Sequence, residues 1–165
     1  MISIRQTLQC DVITLCELQK EAFKPIYETY HDVGSPYLRG VDDIYSRLNN
    51  SDFNYFTILN NGEIVGGILY KCKGSTTFIE SLNEGEYYLL RIYIKPDYQC
   101  RGIGKQAILL CEKELVNAKK FYVDFPKELN KNRKCYENAG FYSSKKEIEI
   151  GHNLVLVLYE KTIAQ

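Results

Sequence analysis

The residues best placed to do chemistry lie in the run Gln99-Cys100-Arg101-Gly102-Ile103-Gly104-Lys105. Gly102 and Gly104 fall where a loop becomes a helix, so backbone N–H groups can approach an anion there without a β-carbon in the way. Arg101 and Lys105 flank them and can add charge to a pyrophosphate, although each taken alone is equally well a solvated surface residue. The ligand to expect is a phosphate group held mainly by backbone. A dinucleotide fingerprint is the rival reading, because Gly102-Ile103-Gly104-Lys105-Gln106-Ala107 satisfies G-x-G-x-x-G/A and Asp124 stands 20 residues beyond Gly104. Spacing argues against it: a Rossmann turn opens directly from its strand, whereas Lys95 to Arg101 intervene here, and no run of further βαβ units follows Asp124.

In its wider setting, Ile92-Tyr93-Ile94-Lys95-Pro96-Asp97-Tyr98-Gln99-Cys100-Arg101-Gly102-Ile103-Gly104 resembles the acetyl-CoA motif of the GNAT family of N-acetyltransferases, whose signature is Q/R-x-x-G-x-G/A after a strand and a proline turn. Farther on, Asn132-Arg133-Lys134-Cys135-Tyr136-Glu137-Asn138-Ala139-Gly140-Phe141 resembles the family's Asn…Tyr-Glu-Lys-x-Gly-Phe segment. The resemblance implies acetyl-CoA as cosubstrate, no metal, and transfer of the acetyl group to a primary amine by direct attack in a ternary complex. It also implies roles. The strand ending Ile92-Tyr93-Ile94 would pair through its backbone with the pantetheine arm, the N–H near Ile92 facing the thioester oxygen as it gains negative charge. Gln99, Cys100, Arg101, Gly102, Ile103, Gly104 and Lys105 would hold the pyrophosphate. Asn132 or Asn130 would contact the cofactor arm, since members differ in where that Asn falls relative to the Tyr. Tyr136 would be the general acid for the departing thiolate; among 14 tyrosines a packed aromatic is the ordinary account of any one, and the motif is what singles it out.

Two departures matter. Cys100 stands where many relatives have Gly, which implies a different backbone angle or a thiol beside the cofactor. Leu90 stands where relatives often carry a Glu, as general base, just before the Arg of the fourth strand. Glu86 shares that strand and the parity of Tyr88 and Leu90, which makes it the candidate base beside a water chain, with a solvated strand end as the equally good account. The missing Glu also leaves open a non-catalytic acyl-CoA-binding or regulatory module. In the family the first helices and their connection shape the acceptor pocket, here Tyr27, Glu28, Tyr30, Asp32 and Tyr37. Acidic and aromatic groups suit a cationic amine, without choosing among a polyamine, an amino acid, an antibiotic or a protein amine.

The elements that must position these residues follow from periodicity. A strand is expected from Ile2 to Thr7. A helix then starts at an Asp11 N-cap, carries Val12, Leu15, Cys16, Leu18, Ala22 and Phe23 at helical spacing, and closes near Pro25. Residues 26–40 read as irregular, followed by a short helix from Val41 to Leu48. Tyr55 to Leu59 and Glu63 to Tyr70 form a hairpin about Asn60-Asn61-Gly62, because Asn-Gly takes the positive φ angles of tight turns. Glu86 to Ile94 is a strand, Gly102 to Lys119 a helix, Phe121 to Phe125 a strand and Asn132 to Ala139 a helix with Gly140 at its left-handed end. Tyr142 to Ile150 and Asn153 to Glu160 are the last strands, joined by Gly151-His152. The order β-α-α-β-β-β-α-β-α-β-β predicts a single α+β domain over residues 1–165, a mixed, mostly antiparallel sheet flanked by helices.

Composition narrows the function classes. Lys plus Arg and Asp plus Glu number 21 each, so no global field draws the chain to nucleic acid or anionic lipid. No apolar run approaches the roughly 18 residues of a membrane span. The six cysteines are scattered, with neither CxxC nor Cys/His metal spacing, and read as reduced thiols of a cytoplasmic protein. A homodimer is compatible with all of this.

Overall fold

The computed structural model describes residues 1–151 and 153–164. Its elements are β1 (Ile2–Gln6), α1 (Val12–Tyr30), α2 (Val41–Leu48), β2 (Phe53–Asn60), β3 (Glu63–Lys71), β4 (Glu86–Ile94), α3 (Ile103–Glu114), β5 (Lys120–Pro126), α4 (Asn130–Asn138), β6 (Tyr142–Ile150) and β7 (Leu154–Thr162). This is the order read from the sequence. The strands form one seven-stranded sheet, β1-β2-β3-β4-β5-β7-β6. Every neighbouring pair is antiparallel except β4 and β5, which are joined through α3 and run parallel. Asn61 and Gly62, with φ of 51° and 85°, close the β2–β3 hairpin as the sequence requires,. His152, half of the expected β6–β7 joint, lies outside the described residues.

Helical spacing decides which helix covers which face. Ile103, Ala107, Ile108 and Cys111 of α3 pack with Ile58, Ile68, Leu89, Phe121, Val123 and Phe125 on one side of the sheet. Val12, Leu15 and Leu18 of α1 and Ile44 of α2 pack with Tyr55, Leu69 and Tyr93 on the other. Leu15 and Ile108 are fully buried, each worth about 1.5–3 kcal/mol relative to exposure.

Several boundaries depart from the sequence reading. Helix α1 runs through Pro25 to Tyr30 instead of closing near Pro25. Proline removes only its own N–H and crowds the preceding turn; its carbonyl still accepts, at 2.9 Å from Thr29 Oγ1. Tyr27, in the added turn, packs its ring 5.1 Å from that of Tyr37. Helix α3 stops at Glu114, short of Lys119, because Leu115 leaves the helical region and the Lys119 N–H bonds Gly85 O at 2.7 Å to start β5. Helix α4 begins at Asn130 rather than Asn132. Asp11 does precede α1, but its carboxylate does not cap that helix. It accepts from Arg5, from Leu8 N at 2.8 Å and from Thr57 Oγ1 at 3.1 Å, and the Arg5 hydrogen bond holds it below the usual carboxylate range. Residues 72–85, unassigned from sequence, fold over the sheet through a Gly74–Leu82 bridge. They bring Phe78 and Ile79 against Tyr88, Tyr122 and Leu158.

Candidate active site

The β4–β5 ladder runs from Glu86↔Lys120 to Leu89↔Val123 and stops, although β4 continues to Ile94 and β5 to Pro126. Beyond that point β5 stays with β7, through Asp124↔Leu158 and Phe125↔Val157. On the other side of β4, Leu69 faces Arg91 and Tyr70 faces Leu89, which leaves Leu90 without a partner in a bulge. Bulges bend a strand and increase its twist. The two strands therefore part, and the backbone edge of residues 90–94 faces a cleft at the carboxyl ends of the parallel pair, where open α/β sheets take their ligands.

Helix α3 starts at the mouth of this cleft. Gly102 precedes it with φ 77°, and no side chain caps it, so the N–H groups of Ile103, Gly104 and Lys105 keep no helical acceptor. Cys100 adopts φ 63°; the chain keeps the left-handed angle of a glycine there and places an exposed thiol on the loop. A β-carbon on Gly104 would lie 3.1 Å from Cys135 Sγ and 3.8 Å from Ile92 Cδ1, so α3 packs closely on α4 there and a side chain at 104 would push Cys135 aside by a few tenths of an ångström. Gln99 turns inward, donating to Ile94 O at 2.9 Å and accepting from Lys131 Nζ at 2.7 Å. It ties β4, the loop and α4 together. The Arg101 guanidinium lies 5.3 Å from the centre of the Tyr98 ring, and Gly102 and Lys105 are exposed.

Helix α4 supplies the remaining motif residues. Tyr136 is buried with its ring 5.2 Å from Phe125 and 6.1 Å from Phe141. Burial first, then the nearby Cys135 and Asp124, raise its hydroxyl far above the ordinary tyrosine value. Asn132 lies one turn before Tyr136 on the same face, whereas Asn130 Oδ1 accepts from Arg133 Nη1 at 3.2 Å within its own helix. Glu86 stays apart from this group. It opens β4, six residues before Ile92 and so roughly 20 Å away along the strand, and accepts from Asn83 N at 2.8 Å and Tyr122 OH at 3.2 Å.

Other polar groups pack around these strands, among them Arg91, the arginine that follows Leu90 on the fourth strand. Arg91, only 7% exposed, donates to Asp43 Oδ2 at 2.7 Å and to Gln19 Oε1 at 3.2 Å, which ties α1 and α2 to β4. Burial pushes Asp43 up, but Arg91 and Arg47 outweigh it and hold the carboxyl below its usual range. Tyr55 and Tyr93 share a hydrogen bond of 2.6 Å beneath them. Tyr88 donates to Asp124 Oδ2 at 2.5 Å. Among the expected acceptor residues, Tyr27 packs on Tyr37, and Asp32 accepts from Gly34 N at 3.0 Å. Tyr30 is raised by burial and then by the charge of Glu128. Glu28 is exposed. The sequence singled out Asp124 only through the rejected dinucleotide spacing and as a charge inside the apolar run Phe121-Tyr122-Val123-Asp124-Phe125.

Among the described residues, no cluster of three or more His, Cys, Asp and Glu is placed to hold a metal, and no helix is long and apolar enough to cross a membrane. All six cysteines are free.

Residues 14–141 match the acetyltransferase (GNAT) family. Comparison with curated proteins gives no match. Among solved structures, the chain is similar to PaiA N-acetyltransferase from Thermoplasma acidophilum, solved with coenzyme A, at 20% identity and a TM-score of 0.72 over 99% of each chain. It is similar to AAC(6')-Ib in complex with ribostamycin and coenzyme A, at 18% identity and a TM-score of 0.78 over 98% of this chain and 93% of that one. It is also similar to the ribosomal-protein-S18-alanine N-acetyltransferase from Escherichia coli, at 14% identity and a TM-score of 0.73 over 100% and 96%.

Proposed function

The chain belongs to the GNAT acetyltransferase family, and from that premise we propose that it moves an acetyl group from acetyl-CoA to a primary amine in a ternary complex. The observation that carries this reading is the juxtaposition of the uncapped α3 N-terminus with the unpaired edge of β4. The first suits a pyrophosphate; the second suits the amides of a pantetheine arm. Ile103, Gly104 and Lys105 give N–H groups to the pyrophosphate, with Arg101 and the Lys105 ammonium adding charge. Gln99 and Cys100 shape the loop, Gln99 through its two hydrogen bonds. Ile92, Tyr93 and Ile94 pair with the arm, and a strand N–H near Ile92 receives the oxygen on which charge develops. Asn132 is the better candidate for the arm contact, because Asn130 is already engaged by Arg133.

The amine nitrogen forms the new C–N bond, the C–S bond breaks with its electron pair going to sulfur, and Tyr136 donates a proton to that sulfur. Burial keeps Tyr136 neutral, the form that can donate. The acceptor is a small-molecule or protein amine. The zero net charge gives no pull toward nucleic acid or a membrane surface, and the free cysteines suit a reducing cytoplasm,. A non-catalytic acyl-CoA-binding module is the second reading, favoured by Leu90, an apolar residue, at the bulge. Free thiol released from acetyl-CoA only in the presence of amine decides between the two.

The cofactor half of the proposal is tested by calorimetry on two variants. Gly104→Ala adds the β-carbon that crowds Cys135, and Gly104→Asp adds a negative charge as well. Acetyl-CoA should bind Gly104→Asp at least tenfold more weakly than Gly104→Ala. Equal affinities would remove the pyrophosphate from this helix end.

A further inference from the structure

Asp124 is the first residue of β5 after the parallel ladder ends at Val123, so it stands where the two strands begin to part. Alternation puts Phe121, Val123 and Phe125 against α3 and α4 and leaves Tyr122 and Asp124 on the opposite face. The surroundings there are apolar and aromatic: Tyr88, Tyr122, Leu82 and Leu158, with Phe78, Ile79 and Leu90 packed against them. Among the described residues its one hydrogen-bond donor is Tyr88, itself 1% exposed. Among the described residues no lysine, arginine or histidine forms an ion pair with Asp124; Arg91 of β4 is committed to Asp43. A carboxylate without a cation in such a place is costly. Burial accordingly raises its carboxyl above the usual range, against the lowering effect of the Tyr88 hydrogen bond. The facing groups are Tyr88 from β4 and the apolar Leu158 from β7; Tyr136 lies across the sheet on α4, where the charge of Asp124 still reaches it.

We propose that Asp124, positioned by Tyr88, binds the ammonium of a primary alkylamine acceptor and takes its proton before attack. This rests on the acetyltransferase reading and supplies what Leu90 and the distant Glu86 do not, a carboxylate at the point where β4 and β5 part. The protons balance. The ammonium gives one proton to Asp124, which passes it to solvent, and the free amine attacks. The tetrahedral adduct loses a second N–H proton as the C–S bond breaks, and sulfur leaves as the thiol with the hydroxyl proton of Tyr136, which that second proton replaces. The net products are amide, thiol and one released proton. The rings of Tyr88, Tyr122 and Phe78 suit the apolar body of such an amine and add cation–π attraction.

The test measures kcat/KM of Asp124→Asn and of the parent with benzylamine and hexylamine, which are cations at neutral pH, and with aniline, which is not. Acetyl-CoA affinity is measured alongside by calorimetry. The expected result is a roughly hundredfold or greater loss with the alkylamines, at least tenfold larger than the loss with aniline, at unchanged acetyl-CoA affinity. Tyr88→Phe, which keeps the carboxylate and removes its positioning bond, should raise KM for the alkylamines more than it lowers kcat, and it decides the matter if the Asn variant does not fold. Losses under threefold in an active background, or equal losses with all three amines, would overturn the role of Asp124 and leave the acetyltransferase reading standing. A parent that binds acetyl-CoA yet acetylates none of the three overturns both.

Discussion

Removing the carboxylate at Asp43 should destabilise the protein far more than its surface position on α2 suggests. Asp43 Oδ2 lies 2.7 Å from Arg91 Nη1, and the Arg91 side chain is 7% exposed against 21% for Asp43. Asp43→Ala leaves a buried guanidinium without its counter-charge, a change that typically costs 3–5 kcal/mol. Gln19 Oε1, at 3.2 Å, still accepts from the same nitrogen, and Arg47, the longer partner of Asp43 at 3.4 Å, is 22% exposed and keeps access to water. These place the cost near the lower bound, about 3 kcal/mol. For a domain of this size that is a fall in Tm of about 6–12 °C. Arg91→Met removes the cation as well, so Asp43→Ala/Arg91→Met should be more stable than Asp43→Ala alone by about 1–2 kcal/mol. Urea unfolding of the four proteins of this cycle reads the result. A single-variant cost below about 1 kcal/mol, or a strictly additive double variant, would refute the claim that this ion pair neutralises a buried cation.

Three further outcomes follow from the same structure. Tyr136→Phe should lower kcat roughly ten- to a thousandfold with acetyl-CoA affinity nearly unchanged, and steady-state kinetics with any accepted amine checks it. Cys100→Gly should gain about 0.5–1 kcal/mol in urea unfolding, because a side chain at φ 63° costs about 1–2 kcal/mol and the extra entropy of unfolded glycine returns part of it. Asp11 and Asp43 are both held below the usual carboxylate range, so their contribution is complete above about pH 4 and is lost as pH falls through their depressed native values. Acid unfolding of Asp11→Asn should accordingly be shallower than that of the parent below pH 4.

What could be read in advance was local. Asn61-Gly62 predicts its own turn, Gly102 and Gly104 the loop-to-helix junction that opens α3, and the apolar spacing of α1, α2 and α3 their buried faces. What could not be read depends on partners distant in the chain. The cleft exists because β4 stops pairing β5 at Leu89 while a bulge displaces Leu90, and neither residue carries a type that signals it. Tyr88 and Asp124 are ordinary strand residues until a sheet register brings them together. The continuation of α1 past Pro25 was lost because proline marks a helix end more often than it sits inside one. Asn130 and Asn132 were indistinguishable until Arg133 was seen to occupy one of them.

The pairing of β1 with β2 has a consequence for the order in which the molecule can be assembled. Ile4 lies opposite Ile58, 54 positions later. During synthesis at roughly 5–20 residues per second, β1 is complete for about 3–10 s before the strand it must join exists. Over that interval Ile2 and Ile4 are apolar residues of an unpaired strand on a nascent chain, and Arg5 between them and the next element is the charge that discourages association with a neighbour. The β2–β3 hairpin closes within a few residues of its own synthesis, so it is the template onto which the older strand is later laid.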